Sequence, residues 1–238
     1  MAEPAIAPTD ALFLDFDGTL APIGPDPALI RLPDGLDCVL SALAGRQGGA
    51  LAVISGRGLD DLSARVPAGL WRVGGHGLEV APPNGGPDAR PDPIPEAVLA
   101  PLAALTETRP GVTLERKGAV AALHYRADPD AGPACLAAAE RAATRAPGLT
   151  VRQGKMVVEI GHHAADKGRA LTAMMARPGW HGRRPVAIGD DTTDEDMIRA
   201  AQAVGGLGIR VGGGDSAAQS RLAGPEAVSA LLTALAGC

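Results

Sequence analysis

Residues 11–22 read ALFLDFDGTLAP, an apolar run from Ala11 to Phe16 that stops at Asp17-Gly18. So short and so apolar a run fits a strand buried on both faces, as in a parallel sheet covered by helices. The same signature returns at Ala50 to Ile54 (ALAVI), which stops at Ser55-Gly56. Between them, Leu36, Val39, Leu40 and Leu43 share one face of a helix spanning Gly35 to Ala44, so the chain opens β-α-β.

Further on, a helix over Leu59 to Val66 leads to a strand at Trp71 to Val73 and then to Gly74-Gly75-His76-Gly77. From Ala81 to Pro95 the Pro/Gly-rich APPNGGPDARPDPIP reads as a linker. A different pattern follows: a helix at Glu96 to Thr108, strands at Val112 to Lys117 and Ala119 to Tyr125, a helix at Pro133 to Ala146, and strands at Leu149 to Gln153 and Met156 to Ile160. Hairpins around Gly118 and Gly154 make this a small α+β unit. The α/β rhythm then resumes with a helix from Lys167 to Ala176, a strand at Pro185 to Ile188, a helix at Thr193 to Ala201, a strand at Ala203 to Ile209, a loop at 210–215 and a helix at Pro225 to Ala236. The expected fold is α/β: a Rossmann-like core with a parallel sheet, residues 1–84 and 162–238, split by an inserted α+β domain, residues 85–161.

Composition narrows the function. The chain has 238 residues, 46% of them hydrophobic but 2% aromatic, enough for a core of aliphatic helices on a sheet. A net charge of −5, no Lys/Arg-rich run and few aromatics argue against nucleic acid as partner. The N-terminus lacks a basic segment before its apolar run, and no stretch is long enough to span a membrane. Three scattered cysteines fit a reducing compartment. A soluble cytoplasmic protein, expected to be a monomer, is the plain reading.

In an open parallel sheet, ligands bind beyond the carboxyl ends of the strands. Asp15, Asp17, Ser55, Asp190 and Asp191 all arrive there. Asp15, Asp17 and Asp190 would make an all-oxygen site of the kind Mg²⁺ prefers, and Mg²⁺ recruits substrate phosphate. The segment AIGDDTTDEDM, residues 187–197, gathers five carboxylates within seven residues, which repel unless a cation or water separates them. Lys167 stands at a helix start, where the macrodipole disfavours a cation, so an anion should lie beside it. Ser55-Gly56 before a helix offers a hydroxyl and free amides for a phosphate.

Singly these signals are weak. DxDG is a common turn, SGR says little, and TDEDM is ordinary helix capping by Thr193 or Asp194. Their order decides: each follows an apolar strand or opens the next helix.

LFLDFDGTLAP, VISGR, ADKG and GDDTTDEDM resemble, in order, the four motifs of the haloacid dehalogenase (HAD) phosphohydrolase superfamily. GDDTTDED, GGHGLE and ERKGAVAALHYR look like those of its trehalose-6-phosphate phosphatases. The resemblance implies Asp15 as the nucleophile that forms an aspartyl-phosphate and Asp17 as general acid/base. It implies Mg²⁺ held by Asp15, Asp17 (through its carbonyl) and Asp190, with Asp191 and Asp194 as outer ligands, and a phosphoryl group bound by Ser55, Gly56 and Lys167. The insertion corresponds to a mobile cap.

Alternation puts Glu115 and Lys117 on one strand face, and Lys155 and Glu159 on one face of another with Met156, Val158 and Ile160 opposite. By pattern alone this is a solvated sheet face. By resemblance Glu115, Lys117, Lys155 and Glu159 bind sugar hydroxyls, with Arg57 and His76 further candidates near the rim and His124 and Arg126 structural. His162 and His163, where relatives carry a proline turn, read as hinge or surface residues rather than ligands. The neighbouring alternatives are a sucrose-phosphate or mannosylglycerate-phosphate phosphatase, a phosphomutase, or a non-catalytic phosphosugar binder.

Overall fold

The computed structural model describes residues 5–88, 91–154 and 156–237, and the backbone alone at Lys117. The chain divides into two compact units, residues 1–89 with 166–238, and residues 90–165. Asp88 stays with the first because its amide donates to Val80 O at 2.8 Å and its carboxylate pairs with Arg177. His162 and His163 stay with the second. His162 pairs with Leu149 in a sheet and the His163 amide donates to Gly148 O at 2.7 Å.

In the first unit the elements run β1 (Ala11–Leu14), α1 (Leu36–Arg46), β2 (Leu51–Ile54), α2 (Leu59–Ser63), β3 (Trp71–Gly74) and β4 (Glu79–Ala81). The inserted unit carries α3 (Glu96–Thr108), β5 (Thr113–Lys117), β6 (Val120–His124), α4 (Gly132–Ala143), β7 (Leu149–Gly154) and β8 (Val157–His162). The first unit then resumes with α5 (Lys167–Met175), β9 (Pro185–Gly189), α6 (Thr192–Ala203), β10 (Leu207–Val211), β11 (Ser220–Leu222) and α7 (Pro225–Ala236).

Among the described residues the first sheet has the order β11-β10-β9-β1-β2-β3-β4, parallel throughout except for β4. β1 is central because ALFL is apolar at every position and can be covered on both sides. Leu12 and Leu14 face a core shared with Leu36, Leu40 and Leu43 of α1 and Val228 and Leu232 of α7. Ala11 and Phe13 face the other way, toward Ala170, Leu171 and Met174 of α5 and Met197 and Ile198 of α6. Phe13 fills the space over its small neighbours Ala52 and Ala187, with its ring 5.1 Å from that of Trp180. Emptying such a site typically costs about 3–5 kcal/mol.

The second sheet has the order β5-β6-β8-β7, antiparallel at every pairing. Ala121, Leu123, Val158 and Ile160 form one face, packed with Val98 and Leu102 of α3 and Cys135, Ala138 and Ala142 of α4. Register places Glu115, Ala122, Glu159 and Arg152 in one row on the opposite face.

Several elements depart from the expectations drawn from sequence. β1 ends at Leu14 rather than Phe16, because Phe16 O accepts the amides of Leu20 and Ala21 and turns the chain back. The strand expected from Ala203 starts at Leu207, since α6 continues through Ala203. β4 and β11 are short edge strands with no apolar run to announce them, and β4 includes Ala81, expected as linker. Met156 is not on the buried strand face. It sits in the β7–β8 turn with φ 61° and 38% exposure. Among the described residues no helix is long and apolar enough to cross a membrane.

Candidate active site

β9, β1 and β2 are parallel neighbours, so their carboxyl ends lie side by side and deliver Asp190, Asp15 and Ser55 to one rim. α5 adds its first residue, Lys167, after Asp166 has capped the helix by accepting the Arg169 amide at 2.8 Å. Lys167 is 3% exposed and its Nζ donates at 2.6 Å both to Asp15 Oδ1 and to Asp194 Oδ1. These are the anions that its place at a helix start required. Asp15, Asp190 and Asp194 each bring a carboxylate oxygen within 4.8 Å of the others.

Burial, then repulsion by Asp194, raises the Asp15 pKa well above the carboxylate range, with Lys167 offsetting part of the rise. The same two causes push Asp190 up to about 6. Burial opposes the Lys167 charge, but Asp15 and Asp194 outweigh it and hold the ammonium protonated. Three carboxylates around one lysine leave an excess of negative charge.

The fit to a divalent cation rests on one atom above all: Asp15 Oδ2 is buried and has no hydrogen-bond partner among the described residues. An unpaired buried carboxylate oxygen is costly. An all-oxygen donor set facing it suits a hard cation.

The loop that carries Asp190 is rigid for local reasons. Asp194 Oδ2 accepts the amides of Asp190 and Asp191, each at 3.0 Å, and Asp191 caps α6, its Oδ1 accepting the Thr192 amide at 2.7 Å. The capping residue is thus Asp191, not Thr193 or Asp194, and Asp194 closes the capping box from the third helical position. Asp194 is fully buried, whereas Asp191 lies exposed at the cap. Glu195 is buried. It accepts the Ala217 amide at 3.0 Å and pairs with Arg210, while Asp196 is exposed. Glycines make the approach possible. A Cβ on Gly18 would lie 2.2 Å from Asp190 Oδ2, and one on Gly189 would lie 2.3 Å from Asp194 Cβ.

Asp17 stands apart from this cluster. Its carboxylate accepts two hydrogen bonds from Arg57, from Nε at 2.7 Å and from Nη2 at 2.6 Å. Arg57 also donates through Nη1 to Asp61 at 2.8 Å, and these carboxylates raise its pKa despite burial. Neither Asp61 nor the adjoining Arg65 was singled out from sequence, although the i, i+4 spacing of Arg57, Asp61 and Arg65 was the available signal.

Ser55 is buried at the end of β2, its Oγ accepting the Arg57 amide at 3.1 Å. The free helix amides expected beside it are not all available: α2 is a single turn and half, and Glu79 accepts the Leu59 amide at 2.8 Å. Gly56 lies under the His76 ring, where a Cβ would approach Cε1 to 2.6 Å.

In the inserted unit Glu115 and Glu159 flank Ala122 in one row, and Glu115 Oε2 is 2.8 Å from His124 Nε2. The Lys117 backbone pairs with Val120 across β5 and β6. Lys155 lies outside the described residues. The His162 and His163 rings, at the last residue of β8 and the one after it in the inserted unit, lie 4.5 Å apart and tilted by 32°, with His163 Nδ1 3.0 Å from Gly148 O.

A family model for trehalose-phosphatase matches residues 13–225. A probable trehalose-phosphate phosphatase of Sinorhizobium fredii is 40% identical over 231 residues, covering 95% of this chain and 87% of that protein. A trehalose-6-phosphate phosphatase of Escherichia coli is 38% identical over 224 residues, covering 93% and 84%. Among solved structures, the C-terminal domain of C. albicans trehalose-6-phosphate phosphatase superposes with a TM-score of 0.80 at 25% identity, covering 96% of this chain and 92% of that one. A trehalose-6-phosphate phosphatase related protein, at 24% identity, shares the fold with a TM-score of 0.78, covering 96% and 97%. The chain belongs to the trehalose-phosphatase family.

Proposed function

We propose that this protein hydrolyses trehalose 6-phosphate to trehalose and inorganic phosphate, as a soluble cytoplasmic monomer using Mg²⁺. The observation that carries the reading is the buried triad of Asp15, Lys167 and Asp194 beside Asp190, with one Asp15 oxygen unpartnered.

Asp15 attacks phosphorus, its carboxylate oxygen forming the new bond as the bond from phosphorus to the sugar oxygen breaks. Asp17 gives its proton to that departing oxygen, then takes one from the water that attacks the aspartyl-phosphate, returning Asp15 as a carboxylate. Lys167 and the Ser55 and Gly56 loop hold the phosphoryl oxygens, Lys167 neutralising charge where water is excluded. Mg²⁺, held by Asp15 and Asp190, with Asp17 through its carbonyl and Asp191 and Asp194 supporting, would supply the positive charge that lets a phosphate dianion approach a carboxylate. Glu115, Lys117, Lys155, Glu159 and Arg57 are assigned to the sugar.

Purified protein would be assayed for phosphate release across a panel of disaccharide phosphates, with Mg²⁺ and with EDTA. Trehalose 6-phosphate should give the highest kcat/KM, and only with the cation. No release from any sugar phosphate would overturn the proposal.

A further inference from the structure

Asp61 lies outside the acidic cluster and outside every motif that marked the site, yet it is one side chain removed from Asp17. Its Oδ2 accepts from Arg57 Nη1 at 2.8 Å and from Arg65 Nε at 3.0 Å, and its Oδ1 accepts from Arg65 Nη2 at 2.6 Å. Burial disfavours its charge, but the hydrogen bonds from Arg65 and Arg57 prevail and hold its pKa low. Asp61 therefore stands as an anion between two guanidinium groups.

Both arginines are fastened elsewhere as well. Arg57 Nη2 donates to Pro27 O at 3.0 Å and its guanidinium lies over the Phe16 ring, 5.5 Å from the centroid. Arg65 Nη1 donates to Ile30 O at 2.6 Å. Arg57 thus has its Nε and Nη2 on Asp17 and its Nη1 on Asp61, a geometry that only a planar fork satisfies. Remove Asp61 and Nη1 loses its acceptor while Arg57 and Arg65 face each other without the intervening anion. Pro27 O and the Phe16 ring still hold the guanidinium, but without an acceptor on Nη1 its fork is free to turn, and the Asp17 carboxylate would turn with it.

We infer that Asp61 is a positioning residue for the general acid/base: by holding Arg57, it fixes where the Asp17 carboxylate sits. The inference rests on the proposed role of Asp17. It makes a prediction that a merely structural role does not, because protonation of the leaving oxygen matters for a sugar alcohol and hardly at all for p-nitrophenolate. The comparison belongs in kcat/KM, which covers the steps up to departure of the leaving group.

The test measures kcat/KM on trehalose 6-phosphate and on p-nitrophenyl phosphate for the wild type, Asp61→Asn and Asp61→Ala, each also combined with Asp17→Asn. Misplacing a catalytic group by a fraction of an ångström should cost Asp61→Ala roughly tenfold on the sugar ester. The loss on the aryl ester should be less than about twofold, and Asp61→Ala should add nothing in the Asp17→Asn background. Asp61→Asn, nearly isosteric, should show the same split in smaller measure and guards against misfolding of the alanine variant. Equal losses on the two esters, or a full further loss on top of Asp17→Asn, would overturn the inference. A wild-type protein inert on both esters would overturn the proposed function, and the inference with it.

Discussion

Lys167 donates to Asp15 at 2.6 Å across 152 residues of sequence, with both side chains almost wholly buried. Removing one partner of such a pair leaves an uncompensated charge, at a cost of about 3–5 kcal/mol. Lys167→Ala should therefore lower the urea midpoint as well as abolish phosphate release. Lys167→Arg should not restore activity, since the flat guanidinium cannot place one donor on both Asp15 and Asp194. Retention of wild-type turnover in either variant would contradict the assigned role.

Asp190→Asn separates function from stability. It removes one of three mutually repelling carboxylates, so the cation-free protein should gain stability, with a thermal midpoint higher by a few degrees. The same variant should lose both activity and the stabilising response to Mg²⁺. Calorimetry in EDTA and in Mg²⁺ checks both halves.

The pH dependence has a definite sign. Asp190 is pushed up to about 6 by burial and by Asp194, from an ordinary value of 3.8. Between those values the folded state binds more protons than the unfolded state, so cation-free stability falls as pH rises from about 4 to about 6 and stays reduced above. A cation competes with that proton and removes the penalty. The gap in thermal midpoint between Mg²⁺ and EDTA samples should widen from pH 4.5 to 7.5; a gap independent of pH would count against the cation site.

Gly18 has φ +86° and packs against Asp190, so its side-chain hydrogen does work no methyl group can do. Gly18→Ala should cost about 1–2 kcal/mol through the left-handed backbone alone. By displacing Asp190 it should also raise the Mg²⁺ concentration needed for half-maximal activity and lower kcat about a hundredfold. A Mg²⁺ titration distinguishes this from a simple loss of folded protein.

On the inserted unit, Glu115→Ala should raise KM for trehalose 6-phosphate several-fold while leaving p-nitrophenyl phosphate turnover unchanged. Equal effects on the two esters would remove Glu115 from sugar recognition.

The helices and buried strands were legible in sequence because their apolar spacing is a direct image of what they cover. Helix α3 was expected and observed at Glu96 to Thr108, and α7 at Pro225 to Ala236. β4 and β11 were not, since an edge strand of three residues needs only one partner and leaves no pattern. The strand ends showed which residues reach the rim, and parallel pairing of β9, β1 and β2 does bring Asp15, Ser55 and Asp190 to it. Sequence could not show how the carboxylates divide. The cap at Asp191 lies two residues before Thr193, the nearer of the two expected capping residues, which turns Asp194 inward to Lys167. The Asp17 carboxylate was legible as a neighbour of Asp15 but not as a partner of Arg57, because that pairing depends on the turn the chain takes after Phe16.

β1 is hydrogen-bonded on both sides, to β2 and to β9, and the Asp15 amide still donates to Ile188 O at 3.0 Å. The residue assigned to the chemistry therefore directly follows a strand paired on both sides. In native-state hydrogen exchange, the amides of Leu12 to Asp15 should report only the global unfolding of the first unit, while those of the edge strands β4 and β11 exchange through smaller fluctuations. Heat or denaturant should consequently disable the protein by dissolving its centre in one event, with no folded intermediate in which the nucleophile alone has come loose.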